Sequence, residues 1–302
     1  MTTRSSMSSS VALVLGSCVS LQFGAALAVQ LFPALGSWGV TALRLTIAAL
    51  LLLVVVRPRV RSWNRSQWLV VIAFGLSLTG MNGFFYAGLE RIPLGTAVAI
   101  EFLGPLVLAA VLTRRLLDFA WVALALVGMA LLGVDSALGV ALDRLGVVFT
   151  LIAAVFWALY IRASARVGQL VPGMGGLAVA LVVASVVLLP FGVPAAEASF
   201  AQPHLLALAA GTALLASVVP YTLELLALRR LPQRVFGVLL SLEPVVASAA
   251  GWLMLSQEMS ALRIVAVALV VVASIGTALA ARKASEDAPG AALTGEVPVI
   301  RD

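Results

Sequence analysis

The stretch PLGTAVAIEFLGP at residues 93–105 places a single carboxylate, Glu101, inside a long apolar run, four residues before a proline. A second stretch, PQRVFGVLLSLEP at residues 232–244, has the same spacing between its prolines and ends on Glu243 and Pro244. An ionised side chain at the centre of a bilayer costs roughly 2.5–3.5 kcal/mol on insertion scales, so it is retained where it faces a polar interior. Charges beside helix breaks at membrane depth therefore predict a solute pathway.

The composition predicts an all-α integral membrane protein. The chain has 302 residues, of which 62% are hydrophobic and 11% charged, whereas soluble domains are about 25% charged. A soluble core of this size could not hide so much apolar surface. Since a spanning helix needs about 20 apolar residues, the runs between polar loops predict ten transmembrane helices: residues 11–31, 38–56, 67–89, 95–113, 119–135, 146–164, 174–193, 204–227, 234–254 and 262–281.

The basic residues are distributed unevenly among the predicted loops. If the N-terminus is inside, only Arg91, Arg144 and Arg263 lie in outer loops, and Arg44 lies within a span. All the other basic residues fall in inner segments. This positive-inside bias supports an even number of spans, with both termini cytoplasmic.

The two ends of the chain are assigned to the cytoplasm. Residues 1–10 form the N-terminal segment, and the polar residues 284–302 predict a disordered tail. The alternative for the start is a cleaved signal peptide, because Arg4 precedes an apolar stretch and the small residues Ala26 and Ala28. Its removal would leave nine spans and destroy the charge bias.

The two proline-bounded stretches also indicate an internal repeat. In the predicted topology the first begins on the outer side and the second on the inner side. Two halves of five spans must have opposite orientations, because five is an odd number. We therefore predict a first five-helix repeat over residues 11–135 and an inverted second repeat over residues 146–283, with a site near the midplane between them.

The two repeated glutamates are candidate binding and proton-coupling groups. Glu101 and Pro105 lie about one turn apart on one helix face. Proline has no N–H, so a freed carbonyl and a carboxylate together suit a cation or an ammonium group. Glu243 and Pro244 are the matching pair in the second half. The alternatives are a structural ion pair between Glu101 and Arg44, and a simple helix kink at Glu243.

A third carboxylate, Glu224, lies in the eighth span, four residues after Pro220 and three after Tyr221. Both Tyr221 and Glu224 are candidate substrate-binding residues, and Pro220 is a candidate helix break. The alternative is that Glu224 snorkels or pairs with Arg229 or Arg230 near the inner membrane surface.

Other polar residues within the spans are further candidates for the cavity wall. Arg44 is predicted to lie one or two turns from the outer interface, where it could hold a substrate carboxylate bidentately or snorkel to headgroups. Asn82 and Tyr86 are spaced i, i+4, and Trp157 and Tyr160 are spaced i, i+3. They could line the cavity, although aromatic residues in membrane proteins often anchor at the interface.

Several chemistries lack their motifs in this sequence. No phosphate-binding glycine loop with Lys and Ser or Thr is present, which argues against ATP hydrolysis. A single cysteine, Cys18, excludes a disulfide framework, and a single histidine, His204, excludes a multi-histidine metal site. We expect no enzyme, cofactor, metal or nucleic-acid partner. The expected partners are a small-molecule substrate and the lipid bilayer, and a monomer is compatible with this.

Six short segments, taken in their order and spacing, resemble the EamA-type branch of the drug/metabolite transporter superfamily, and within it the threonine/homoserine exporter group. The similarity extends over nearly all ten spans. The segments are Gly39-Val-Thr-Ala-Leu-Arg44, Gly80-Met-Asn82, Pro93-Leu-Gly95, Glu101-Phe-Leu-Gly-Pro105, Pro220-Tyr-Thr-Leu-Glu224 and Ser241-Leu-Glu243-Pro244.

The resemblance implies two inverted five-helix repeats around a central cavity in a bacterial inner membrane. It also implies efflux of small amino acids or related metabolites, driven by the proton gradient. The positions that match the family's functional residues are Arg44, Glu101, Tyr221, Glu224 and Glu243.

The leading hypothesis is a proton-coupled exporter of zwitterionic amino acids. In it, Arg44 holds the substrate carboxylate, and one glutamate exchanges a proton against the ammonium group. The exporter group has a lysine in its first helix where this chain has Val29. One rival is therefore the same fold moving drugs, aromatic compounds or cationic metabolites. The others are a polytopic enzyme that acts on lipid and a passive channel.

Overall fold

The computed structural model describes residues 2–113, 116–138, 142–228 and 239–286, which form helices and short turns and contain no strand. A helix satisfies its backbone donors and acceptors internally, which is necessary where lipid offers no partners. Most of the predicted tail lies outside the described residues, as do Arg114, Arg115, Arg229, Arg230, Pro232 and Arg234.

In these parts of the chain the helices follow one another with short connections. A π-helical segment, Leu214–Val218, lies between the tenth and the eleventh of these helices. The helices are α1 (Thr2–Val29), α2 (Phe32–Val56), α3 (Arg65–Leu89), α4 (Leu94–Glu101), α5 (Leu103–Thr113), α6 (Leu116–Leu138), α7 (Arg144–Leu170), α8 (Gly175–Val187), α9 (Leu189–Ala201), α10 (Pro203–Ala213), α11 (Val219–Leu228), α12 (Glu243–Leu255) and α13 (Ala261–Glu286).

Five stretches of the described chain are long and apolar enough to cross a membrane as single helices: Val11–Val29, Phe32–Val56, Arg65–Leu89, Arg144–Leu170 and Pro203–Glu224. The bent pair α8 and α9 adds a sixth if it counts as one span. Shorter apolar helices cover Leu94–Leu108, Phe119–Leu132, Glu243–Leu255 and Ala261–Gly276. The chain is therefore a multi-pass membrane protein.

The loops gather at two ends of the bundle. At one end, which we call the Arg91 end, side chains join Ser37 to Glu90, Arg91 to Asp143, Leu94 to Gln257 and Asp135 to Arg263. At the other, the Gln67 end, Gln67 Nε2 donates to the Leu170 carbonyl at 2.7 Å. Long helices that follow each other, such as α2 and α3, therefore run in opposite directions.

The innermost element of the bundle is α4, whose 8 residues are all buried. Its neighbours include α7 and α12. A side chain at Gly95 would lie only 2.8 Å from the Cα of Ser248, so glycine allows α4 and α12 to touch. An apolar sequence on all sides of a helix is what such a central position requires.

The predicted continuous helix over residues 174–193 is wrong. The helix stops at Val187, and α9 leaves at an angle of 83° to α8. Pro190 lies at the start of α9, where its missing N–H would have no helical partner in any case. Most of the segment between residues 193 and 204, expected as a loop, is helical, and α2 packs against both α8 and α9.

The second predicted span, residues 38–56, corresponds to the part of α2 that follows a kink. The helix starts at Phe32, and Gly36 kinks it with a left-handed φ of 67°, a conformation that glycine adopts without steric cost. Beyond this kink the helix runs regularly to Val56, close to the predicted bounds. Arg44 lies eight residues, about two turns, after the kink.

Candidate functional site

Two of the three membrane carboxylates face each other across the contact between α4 and α12. These helices run antiparallel, and with Gly95 against Ser248 the register brings Glu101 beside Glu243. The two side chains interact electrostatically. They are 9% and 5% exposed, and neither forms a side-chain hydrogen bond with another described residue. A buried polar group without such a partner is unusual in proteins.

Both glutamates lie at interruptions of their helices. Glu101 is the last residue of α4, which gives way at Phe102 to α5 with its Pro105. Glu243 is the first residue of α12 and follows a turn at Ser241 and Leu242. The N-terminus of α12 favours a negative charge at Glu243, whereas the C-terminal end of α4 favours a cation near Glu101.

Glu224 on α11 joins the same cluster from a third side. Its Oε1 accepts a hydrogen bond of 2.7 Å from the hydroxyl of Ser17 on α1, and it interacts electrostatically with Glu243. The alternative partners Arg229 and Arg230 lie outside the described residues. Cys18, which is buried on α1, lies within electrostatic range of both Glu224 and Glu243.

Arg44 is buried and does not snorkel to a helix end. The side chain is 2% exposed. It donates to the Ala216 carbonyl at 2.8 Å, to the hydroxyl of Ser217 at 3.3 Å and to Asn82 Oδ1. Pro220 cannot donate to the Ala216 carbonyl, so this acceptor is available to Arg44.

The alternative of a structural ion pair between Arg44 and Glu101 finds no support in the described residues. No contact within ion-pair distance joins them, although Arg44 acts electrostatically on Glu101. The Nε of Arg44 is buried without a hydrogen-bond partner. One donor of the guanidinium is therefore not engaged by the protein.

Asn82, Tyr86 and Tyr221 surround Arg44. Asn82 donates to the Leu78 carbonyl at 2.8 Å, and Tyr221 lies within electrostatic range of Arg44. The Tyr86 ring lies 4.7 Å from the Arg44 guanidinium carbon, a cation–π distance. Tyr86 is 1% exposed, and its hydroxyl has no hydrogen-bond partner in the described part of the chain.

Trp157 and Tyr160 on α7 face the bundle and do not lie as anchors at a helix end. Trp157 packs edge-on against Phe102, with 4.7 Å between ring centroids. Tyr160 lies 5.2 Å from the Phe74 ring and interacts electrostatically with Tyr221 and Glu224. Tyr160 thus borders the polar cluster, and Trp157 covers the break between α4 and α5.

Three residues of this region could not be predicted as part of the site from their sequence context. Ser17 holds Glu224, Ser217 accepts from Arg44, and Phe102 occupies the helix break. Small hydroxyl residues are common in packed membrane helices, so their presence alone does not mark a site. Only the tertiary structure shows which hydroxyl groups lie beside the glutamates or beside Arg44.

The arrangement suits a small molecule that carries both charges. Three carboxylates can receive an ammonium group, while the free Arg44 Nε and the Tyr86 hydroxyl can donate to a carboxylate. Among the described residues no group of three or more His, Cys, Asp or Glu side chains is placed to hold a metal ion.

Comparison with known proteins gives a consistent result. Threonine/homoserine exporter RhtA of Salmonella typhimurium strain LT2 is 38% identical over 267 residues, covering 87% of this chain and 89% of that protein. The model of the EamA-like transporter family matches residues 144–279. The chain belongs to the EamA-like transporter family. RhtA of Escherichia coli strain K12 is 36% identical over 279 residues, 91% of this chain and 93% of the relative.

The fold of this EamA-like transporter is also found in a solved structure. A chain of known crystal structure matches with a TM-score of 0.60 and 21% identity, covering 91% of this chain and 98% of the other. Because the two sequences are only 21% identical, this similarity shows that the folds agree and carries no conclusion about function. The curated relatives are named as exporters, and the chain is accordingly a transporter and not an enzyme.

Proposed function

We propose that this chain is a secondary transporter of the bacterial inner membrane that exports small amino acids of the threonine and homoserine type by proton antiport. The observation that supports this most directly is the convergence of Glu101, Glu224 and Glu243 with Arg44 in one buried region. The curated relatives carry this cargo in their names.

Ten membrane-spanning helices form two inverted repeats, residues 11–135 and 146–283. The matched helix breaks support this arrangement, because α4 ends on Glu101 before Pro105 and α12 begins on Glu243 before Pro244. The two helices also run antiparallel to each other. Broken helices in corresponding positions of inverted halves are typical of the substrate sites of secondary transporters.

The Gln67 end faces the cytoplasm, and the Arg91 end faces outward. The support is the distribution of arginines: Arg57, Arg59, Arg61, Arg65, Arg162 and Arg166 lie toward the Gln67 end. Of the described arginines, only Arg91, Arg144 and Arg263 lie at the other end. An excess of arginine marks cytoplasmic loops, which places both termini inside.

The substrate lies between Glu101 and Arg44. Its ammonium group is held by Glu101, where the end of α4 also favours a cation. Its carboxylate accepts from Arg44 Nε and the Tyr86 hydroxyl, the two buried donors that have no protein partner. The two terminal nitrogens of Arg44 already hold α3 and the π segment, so the expected bidentate clamp becomes a single contact.

Glu101 and Glu243 carry the proton. Each added negative charge is costly in a membrane interior, so a proton that enters the pair replaces the ammonium group that leaves it. The site then returns to the inward side in its protonated, empty form. This couples export to proton entry without any group outside the cluster.

The test is export from cells loaded with threonine. We expect Glu101→Gln to remain in the membrane at the wild-type level and to lose export. The matched control is Glu197→Gln, since Glu197 is exposed on α9. Full export by Glu101→Gln would defeat the assignment. In proteoliposomes, flux that does not depend on an imposed pH gradient would indicate a passive channel.

The same fold could instead carry aromatic metabolites, which is favoured by the rings of Phe102 and Trp157 beside the Glu101 break. The two cargoes are separated by competition. Phenylalanine should leave threonine efflux from proteoliposomes unchanged if the site is specific for small amino acids, and should inhibit it if aromatic cargo is carried.

A further inference from the structure

A separate cavity lies at the Arg91 end of the bundle. Its volume is about 650 Å³, within the range of ordinary small-molecule sites. Seven of the residues that line it carry polar or aromatic groups: Arg91, Asp135, Trp252, Gln257, Glu258, Ser260 and Arg263. None of them belongs to the carboxylate cluster around Glu101.

The cavity lies directly over the contact between α4 and α12. Gln257, on its wall, accepts a hydrogen bond of 3.0 Å from the backbone N–H of Leu94, the first residue of α4. The Gln257 side chain also fills the space beside Gly251 on α12. A solute that leaves the Glu101 region by parting these helices would therefore enter this cavity.

Two of the four charges on the wall satisfy each other. Arg263 pairs with Asp135 at 3.0 Å, and both side chains are largely buried. Ser260 donates to Asp135 as well, and Arg263 also donates to the Glu258 carbonyl at 2.8 Å. This ion pair holds α13 against α6, so its two charges are already used within the protein.

The other two charges are not committed to the fold in the same way, although the Arg91 guanidinium carbon lies 5.8 Å from the centroid of the Phe149 ring. Arg91 meets Asp143 at 3.5 Å, but both side chains are about 40% exposed, and exposed ion pairs contribute little. Glu258 is exposed, and its carboxylate has no ion pair with any described residue. One positive and one negative group thus face the same space, beside the ring of Trp252.

We propose that this cavity is a second binding site, on the outer face, for a zwitterionic α-amino acid. The planar guanidinium of Arg91 receives the carboxylate, the Glu258 carboxylate receives the ammonium group, and Trp252 covers the side chain. The site is a vestibule that the exported molecule occupies after it passes the α4–α12 contact. The role as an exit vestibule rests on the proposed function, whereas the binding itself does not.

The test measures protection of the cavity wall, not transport. Met259 also lines the cavity, and the only cysteine of the chain is Cys18. In purified full-length Cys18→Ala/Met259→Cys protein, the rate of maleimide modification is measured with and without L-threonine. We expect slowing by about tenfold at ten times the dissociation constant, where roughly nine-tenths of the sites are filled.

Matched variants test which side chain binds which charged group of the amino acid. Adding Arg91→Gln or Glu258→Gln should raise the L-threonine concentration needed for protection by about tenfold or more, because each removes a hydrogen bond to a charged group. Adding Arg144→Gln should change nothing, since Arg144 is exposed at the same end and does not line the cavity. Threonine methyl ester and N-acetylthreonine, which each lack one charge, should protect only weakly.

The outcomes are distinct for the two proposals. No protection by L-threonine, or equal protection in the Arg91→Gln, Glu258→Gln and Arg144→Gln proteins, overturns the outer site, whatever the protein transports. Protection in a protein that does not move threonine across liposomes would leave the site in place and refute the proposed export.

Discussion

At the scale of single residues, Arg44 connects three parts of the molecule. It lies on α2, bonds Asn82 on α3, and bonds the Ala216 carbonyl and the Ser217 hydroxyl in the π segment. A buried arginine is tolerated because these partners replace the water it has lost. In the function proposed above, the same residue serves both the fold and the substrate contact.

Arg44→Lys should impair both stability and export. Lysine keeps the charge but lacks the planar fork, so it cannot reach all three partners and stack on Tyr86. Each lost hydrogen bond to a charged group costs about 1.5–3 kcal/mol. We expect a lower unfolding temperature in detergent and at least tenfold weaker export. Arg166→Lys, on the exposed end of α7, is the control and should match the wild type in both measurements.

Ser17 offers a second test at this scale, because its hydroxyl donates to Glu224. Ser17→Ala should reduce the export rate by about tenfold, the value of one hydrogen bond to a carboxylate, with normal membrane insertion. Ser20→Ala is a close control, since Ser20 on the same helix donates to a backbone carbonyl, that of Leu215, at 2.7 Å. Equal loss in both variants would mean that Ser17 only packs α1 against α11.

At the scale of the elements, the irregular helices place the site. The π segment precedes Pro220 and leaves the Ala216 carbonyl to Arg44. Short π segments inside α-helices frequently occur at functional sites. The turns before Glu243 and after Glu101 likewise bring backbone ends into the interior of the bundle, where a continuous helix would present only side chains.

Replacing Pro220 tests whether the irregularity matters. Pro220→Ala restores an N–H that can bond the Ala216 carbonyl and compete with Arg44. Because proline in a helix interior costs about 3 kcal/mol, we expect an equal or higher unfolding temperature together with strongly reduced export. Pro203→Ala, at the first position of α10, removes a proline that costs the helix little and should behave like the wild type. Undiminished export by Pro220→Ala would show that the irregular backbone is dispensable.

At the scale of the whole molecule, the two loop ends have different charges and different contacts. Their assignment to the two sides of the membrane can be measured directly, because Cys18 is the only cysteine and is buried. In a Cys18→Ala protein, Ser62→Cys lies at the Gln67 end and Gln202→Cys at the Arg91 end, both exposed.

We expect a membrane-impermeant maleimide to label Gln202→Cys in intact spheroplasts and Ser62→Cys only after the membrane is opened. The physical reason is the excess of arginine at the Gln67 end, because arginine-rich loops are retained on the cytoplasmic side of a membrane. The reverse pattern would invert the topology, and labelling of both from outside would contradict a single orientation.

Many of the helices could be predicted from the sequence, because the length of an apolar run indicates whether it can span a membrane. The exceptions have local causes. The bend at Leu188 was missed because Pro190 and Pro194 lie within an apolar run that a length criterion joins to α8. The helical turn that begins at Phe32 was not predicted, because Gly36 marks a loop as readily as a kink.

The sequence by itself determined that this chain is a helical membrane protein with carboxylates beside prolines, since the cost of charge in lipid makes such residues stand out. It could not show that Glu101 faces Glu243, that Ser17 reaches Glu224, or that Arg44 is occupied by Asn82 and the π segment. These contacts join residues that are far apart in the chain, so they depend on the register in which helices pack, and only the tertiary structure decides that register.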